Sequence, residues 1–153
     1  MAKAPQDTFL IIIPADPDAE VDDDIAEATC EVLEAMFPDA EDVSYDIFDE
    51  VRFIDPGVAF DSVHCPACGK DADPWWPAAM DKAARLEFDD LDVVTRCCKT
   101  AISLNDMKYA PAAGFARFAI VVVNPNVVSL TESQRQSVET ALGGGVRVVV
   151  QQG

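Results

Sequence analysis

Histidine is nearly missing from this chain of 153 residues, which holds one, His64. A nucleophile-and-base pair needs a base beside the attacking group, and this one adjoins Cys65 within a cysteine cluster, so a Ser-His or Cys-His hydrolase is not expected. Basic residues are scarce as well, with 11 Lys and Arg against 28 Asp and Glu and a net charge of -17. Such a field repels nucleic acid phosphates and anionic lipid heads, so neither nucleic acid nor membrane is expected as a partner. Long apolar runs are absent. The longest, Phe9 to Ile13 and Phe118 to Val123, fall far short of the roughly eighteen residues that cross a bilayer. The opening MAKAPQD lacks the apolar region of a signal peptide, and a soluble, cytoplasmic protein is expected. The run Gly143-Gly144-Gly145 follows a helical pattern instead of preceding one, which excludes a phosphate loop. The cysteines number five, an odd count that argues against a disulfide framework and suits a reducing compartment.

What is present is enough apolar sequence, 50%, for one domain to bury a core. Thr8 to Ile13, closed by Pro14, is a continuous apolar run and predicts a strand buried on both faces. Ile25, Thr29, Val32, Leu33, Met36 and Phe37 recur at steps of three and four, predicting a helix from Asp22 to the stop at Pro38. Cys30 lies near that stripe and is expected to be a core thiol. Val43 to Phe53 alternates as a half-buried strand or a strand with a bulge. Arg117 to Val123 predicts another apolar strand. Thr131-Glu132-Ser133-Gln134 opens a helix carrying Val138, Ala141 and Leu142, and Val146, Val148 and Val150 form the last strand.

With residues 59–112 set aside, the order is strand, helix, strand, then strand, helix, strand. This predicts an α+β fold, a ferredoxin-like βαββαβ sheet with its first and third strands central and a zinc-ribbon-like module inserted between strands 2 and 3. The expected parts are an acidic first half over 1–58, the module over 59–112 and a second half over 113–153, together one composite domain. Helices cover one face of such a sheet, while these central strands look apolar on both. The second face should be covered by the middle segment or by another subunit.

The module holds Cys65 and Cys68 as C-x2-C followed by Gly69, and later the adjacent pair Cys97 and Cys98. Two such clusters suggest the halves of a tetrahedral four-thiolate zinc site. Adjacent residues of a strand point to opposite faces, so both Cys97 and Cys98 reach one ion only if the chain turns there. Otherwise three cysteines with His64 as the alternative ligand, or no metal, remain open. Lys70, Arg96 and Lys99 flank the cysteines and would offset the charge of the thiolates. Asp73-Pro74 predicts the start of a helix through Trp75, Trp76, Met80, Ala83, Ala84 and Phe88, with the tryptophan pair as a miniature core.

The turn Cys65-Pro66-Ala67-Cys68-Gly69 resembles a zinc-ribbon or rubredoxin-type CPxCG knuckle. The CPAC core is also similar to the glutaredoxin pattern, but a loop, Gly69 to Pro74, follows it where that family has a helix, so dithiol chemistry is not expected. The string CPACG, WW, CC, SLNDMKY and GFARF is similar to a group of uncharacterised bacterial proteins sharing a CPxCG knuckle, a tryptophan pair, a CC and SLND-like residues. The likeness spans residues 65–123 and implies that these pieces act as one unit, with no activity attached.

The charge is one-sided. Residues 1–58 hold 17 acids against Lys3 and Arg52, giving -15, whereas residues 116–153 hold 2 acids against 3 bases, giving +1. A saline cytoplasm would be expected to acidify the last third too, whereas an acidic surface kept simply for solubility remains open. The expected function is therefore a non-catalytic, zinc-stabilised binding protein of immunity or inhibitor type. Its acids Asp18, Glu20, Asp22, Asp23, Asp24, Asp46, Asp49 and Glu50 would engage a basic protein partner. Two rivals remain. One is a zinc enzyme with an open coordination position and Asp71 or Asp73 as base; the other is a structural subunit forming a homodimer through the open sheet face.

Overall fold

The first apolar run forms β1 (Thr8–Pro14), and its side chains alternate between two buried faces. The structure, a computed structural model, describes residues 7–57 and 60–152. After β1 come α1 (Asp23–Met36), β2 (Asp42–Ile54), β3 (Ser62–His64), α2 (Trp76–Ala84), β4 (Asp92–Val94), β5 (Ala101–Ser103), a single 3-10 turn (Leu104–Asp106), β6 (Lys108–Ala110), β7 (Gly114–Val123), α3 (Glu132–Leu142) and β8 (Val146–Gln152). It is a mixed α+β fold whose four-stranded sheet has the order β2-β7-β1-β8, every pairing antiparallel. No helix among the described residues is long and apolar enough to cross a membrane.

On one face Leu10, Ile12, Phe118, Ile120 and Val122 pack against Ala26, Cys30, Leu33 and Phe37 of the α1 side and Val138 of α3. Each such large side chain, fully buried, contributes about 1.5–3 kcal/mol. α1 starts where its acids predict, with the Asp22 carboxylate accepting from Ile25 N at 2.9 Å and Asp23 and Asp24 in the positive first turn. Its inward stripe is rotated from the expected one: Ala26 and Cys30 are buried and Ile25 is 38% exposed. Thr29 can sit in that stripe because its hydroxyl donates to Ile25 O at 2.8 Å within the helix. α3 begins with a capping box between Thr131 and Gln134 and ends at Gly143, whose φ of 90° is left-handed.

The second face buries Ile11, Ile13, Ala116, Ala119 and Val149, and it is covered from within the chain. β2 and β8 lie at opposite edges, yet Gln151 Nε2 of β8 donates to Asp55 O at 2.7 Å, just past the end of β2. Phe48 and Ile54 of β2 pack against the same cluster. Arg147 of β8, the strand at the sheet edge, also turns inward: its Nη1 donates to Asn105 O (2.8 Å), Asn105 Oδ1 (3.1 Å) and Ala113 O (3.0 Å).

Between β2 and β7 lies a second core of Val63, Ala72, Trp75, Ala83, Leu91, Leu104 and Met107, to which the sheet strands lend Val51 and Phe115. The two tryptophans divide: Trp75 is buried, its Nε1 without a partner among the described residues, whereas Trp76 stacks on Phe60 and meets Phe53 of β2 edge-on. α2 begins at Trp76, not at the expected Asp73-Pro74. The Asp71 carboxylate takes the Asp73 N–H, and Trp75 N and Trp76 N both donate to Ala72 O, so the chain closes a turn first and Pro77 becomes the proline of the helix start.

Gly114, the first residue of β7, is packed tightly against β1 and β8. A Cβ there would stand 2.9 Å from both Arg147 Nη1 and Ile13 Cδ1. Gly114→Ala is expected to destabilise the protein by about 1–3 kcal/mol, because Arg147 or Ile13 must leave its place. A urea midpoint unchanged from wild type would show that this contact is soft.

Candidate metal centre

Both cysteine clusters sit in tight turns of the same construction. β3 runs into Cys65; Gly69 N donates to Cys65 O and Cys65 N to Lys70 O, each at 2.9 Å, while Gly69 takes a φ of 77°. β4 runs into Thr95; Lys99 N donates to Thr95 O at 2.8 Å, Thr95 N to Thr100 O at 3.0 Å, and Lys99 takes a φ of 54°. The turns correspond residue for residue, with Thr95 in the place of Cys65 and Cys98 in the place of Cys68. The chain does turn across Arg96, Cys97 and Cys98, which lets the adjacent cysteines face one point.

The four Sγ atoms of Cys65, Cys68, Cys97 and Cys98 lie within 4.8 Å of one another, close enough to bind a metal ion. Cys65 and Cys98 are 3.8 Å apart and Cys68 and Cys97 3.4 Å. Sulfurs placed tetrahedrally about 2.3 Å from an ion would be about 3.8 Å apart, so the set fits such an ion with little movement. His64 is not in this group; it lies in β3 opposite Lys108, with an isolated bridge to Asp71. Cys30 is elsewhere, in the sheet core, where burial above all pushes its thiol up to about 11. α2 opens well past Cys68, so no helix N-terminus bears on CPAC.

The thiols differ in their surroundings. Cys98 is lowered to about 6 by the hydroxyls of Thr100 and Thr95. Burial pushes Cys65 up, but the N–H groups of Cys68 and Ala67 together with the sulfurs of Cys97 and Cys68 outweigh it and the net shift is downward. Cys97 is pushed up to about 11 by desolvation, then by the sulfurs of Cys68 and Cys65. Thiolates packed this closely repel one another, and a cation at their centre is what allows all four to ionise together. Lys70, Arg96 and Lys99 are exposed beside the turns, as the sequence suggests.

The acids gather differently from the cysteines. Asp18, Glu20, Asp22, Asp49 and Glu50 line two adjoining clefts that share Arg117, joined there by Glu87 and Asp89. Arg117 stands opposite the register break of β2 between Ile47 and Arg52; it pairs with Glu20 at 3.3 Å and donates to Asp49 O at 2.9 Å. Asp23 accepts from Tyr45 Oη at 2.9 Å, and Asp24 and Asp46 are exposed away from the clefts. Sequence reasoning missed Thr95, Thr100, Asn105 and Arg117. Of these, only Thr95 and Thr100 left a signal, the match of T-x-x-C-K-T to C-x-x-C-G-K.

No protein-family model matches the chain, and comparison with curated proteins and with solved structures found no similar chain.

Proposed function

We propose that this chain is a non-catalytic, zinc-stabilised acidic binding protein: a ferredoxin-like sheet with an inserted zinc-ribbon-like module, whose acidic face engages a basic protein partner. The observation that carries the reading is the completeness of the thiol set. Four sulfurs within 4.8 Å leave no coordination position for water, as in structural zinc sites and unlike catalytic ones. An all-sulfur tetrahedral set suits zinc or iron, and the likeness of CPACG to zinc-ribbon knuckles favours zinc. The antiparallel order β2-β7-β1-β8, with β1 and β7 inside, is the support for the ferredoxin-like description.

The partner surface is the acid-lined notch around Arg117, with Ile47, 47% exposed, at its edge. A partner placing Lys or Arg there would gain steering from the whole field of the first half of the chain, as an inhibitor or immunity protein does against a basic toxin or nuclease. The test is affinity capture from the native host with metal analysis of the purified chain. One zinc per chain and a basic partner are expected. Replacing Asp18, Glu20 and Asp49 by their amides should slow association about tenfold, as should a rise in salt that shortens the Debye length from about 10 Å to about 3 Å. Capture of chaperones alone, or binding indifferent to salt, overturns the partner reading.

A further inference from the structure

Thr95 holds the turn position that Cys65 holds in the other turn, and both are 0% exposed. A ligand at that position is thus replaced by a hydroxyl, and the fourth sulfur comes from Cys97, two residues on. The hydroxyl is not idle. Thr95 Oγ1 accepts from Thr100 N at 3.0 Å and lies 3.1 Å from Cys98 Sγ. Because the residue is fully buried, its proton has no water to meet, and leaving it unbonded would cost the desolvation of a hydroxyl. With the Thr100 N–H already approaching the oxygen, the proton is directed at the sulfur. Thr100 Oγ1 stands 3.2 Å from the same sulfur and 3.4 Å from Cys98 O.

We infer that Thr95 is a positioning residue of the metal centre: its buried hydroxyl donates to the Cys98 thiolate and holds that exposed sulfur toward the ion. The inference rests on the four-thiolate reading. Cys98, like Cys68, is exposed, whereas Cys65 is buried. An exposed thiolate is open to alkylating agents, and a fixed donor orients it and reduces its nucleophilicity toward them. The second turn thereby keeps a four-sulfur set without the usual C-x2-C.

The test compares Thr95→Val, which preserves shape and removes the donor, with Thr95→Ser, which keeps the hydroxyl. The metal-free chain is titrated with Zn2+ against a competing chelator and with Co2+ to follow the sulfur-to-cobalt absorption. Alkylation of Cys98 is then timed in the zinc-loaded protein. Thr95→Val is expected to weaken Zn2+ binding by about 10–100-fold and to speed alkylation of Cys98, with Thr95→Ser close to wild type. Equal affinity and alkylation in Thr95→Val, beside a wild type with one ion and four protected thiols, overturns this assignment and leaves the metal centre standing. A wild type that binds neither ion overturns both. Should the valine variant not fold, the serine variant decides, because a tenfold loss there would assign the role to the methyl group and not to the hydroxyl.

Discussion

Cys65→Ser is expected to abolish stoichiometric metal binding and to unfold the inserted module, weakening the four-stranded sheet that Asn105 ties to it. The reason is the size of the elements that metal would hold. β3, β4, β5 and β6 have three residues each and pair only as two-stranded sheets, which are at best marginal in water. A structural zinc supplies about 10–16 kcal/mol in small modules, far more than such pairs contribute. Cys65 is the ligand with most to lose, being fully buried at the root of its turn. Metal content, thiol titration and the near-ultraviolet signal of Trp75 and Trp76 would follow the loss, and a strong chelator should reproduce it. Cys30→Ser is the control, since Cys30 lies in the sheet core and should leave the metal count unchanged. Retention of one tightly held ion by Cys65→Ser would sink the four-thiolate assignment.

Asn105→Ala is expected to destabilise the whole chain by about 2–4 kcal/mol, the scale of several buried polar groups left without partners. Asn105 is 5% exposed and connects three segments distant in sequence. Its Nδ2 donates to Ala15 O at 3.1 Å, and its Oδ1 accepts from Phe115 N at 3.0 Å and from Arg147 Nη1 at 3.1 Å. Removing the amide leaves the Phe115 N–H without its acceptor in a buried position and takes one of three acceptors from the half-buried Arg147 guanidinium. The loss should appear as a lower urea midpoint with sheet and module unfolding together, because Asn105 belongs to the module and two of its partners to the sheet ends. A shift below about 0.5 kcal/mol, the size of an ordinary surface change, would mean that water replaces the amide.

Much of this was legible because its causes are local. The apolar continuity of β1 and β7, the Asp22 cap of α1, the Thr131–Gln134 box of α3 and the knuckle at Cys65 and Cys68 each depend on residues within one or two turns of chain. The bulge in β2 was expected only as an alternative, and its purpose was not legible, since Arg117, which fills it, comes from another strand. Ile25 fits the helical period and is nonetheless exposed, because periodicity defines a stripe only to within a residue and α3 and the sheet decide which edge of it is covered. The sequence left His64 and the adjacent cysteines open because nothing local to Cys97 and Cys98 fixes whether the chain turns; the turn there, closed by Thr95 and Lys99, brings both sulfurs to one side.

By itself the sequence determined the strand-helix-strand order of the two halves of the sheet, the placing of two cysteine clusters in one inserted segment and the concentration of negative charge in the first half. Only the tertiary structure decided that four sulfurs converge without His64, that Thr95 takes the turn position of Cys65 and that Asp18, Glu20, Asp22, Asp49 and Glu50 line the clefts at Arg117. It alone also decided that the chain closes its own second sheet face through Asp55 and Gln151, 96 residues apart. The physical reason is range. Caps, periods and turn residues act over a few residues and leave a pattern there, whereas these convergences join residues dozens of positions apart, whose pairing exists only once the sheet has set their geometry.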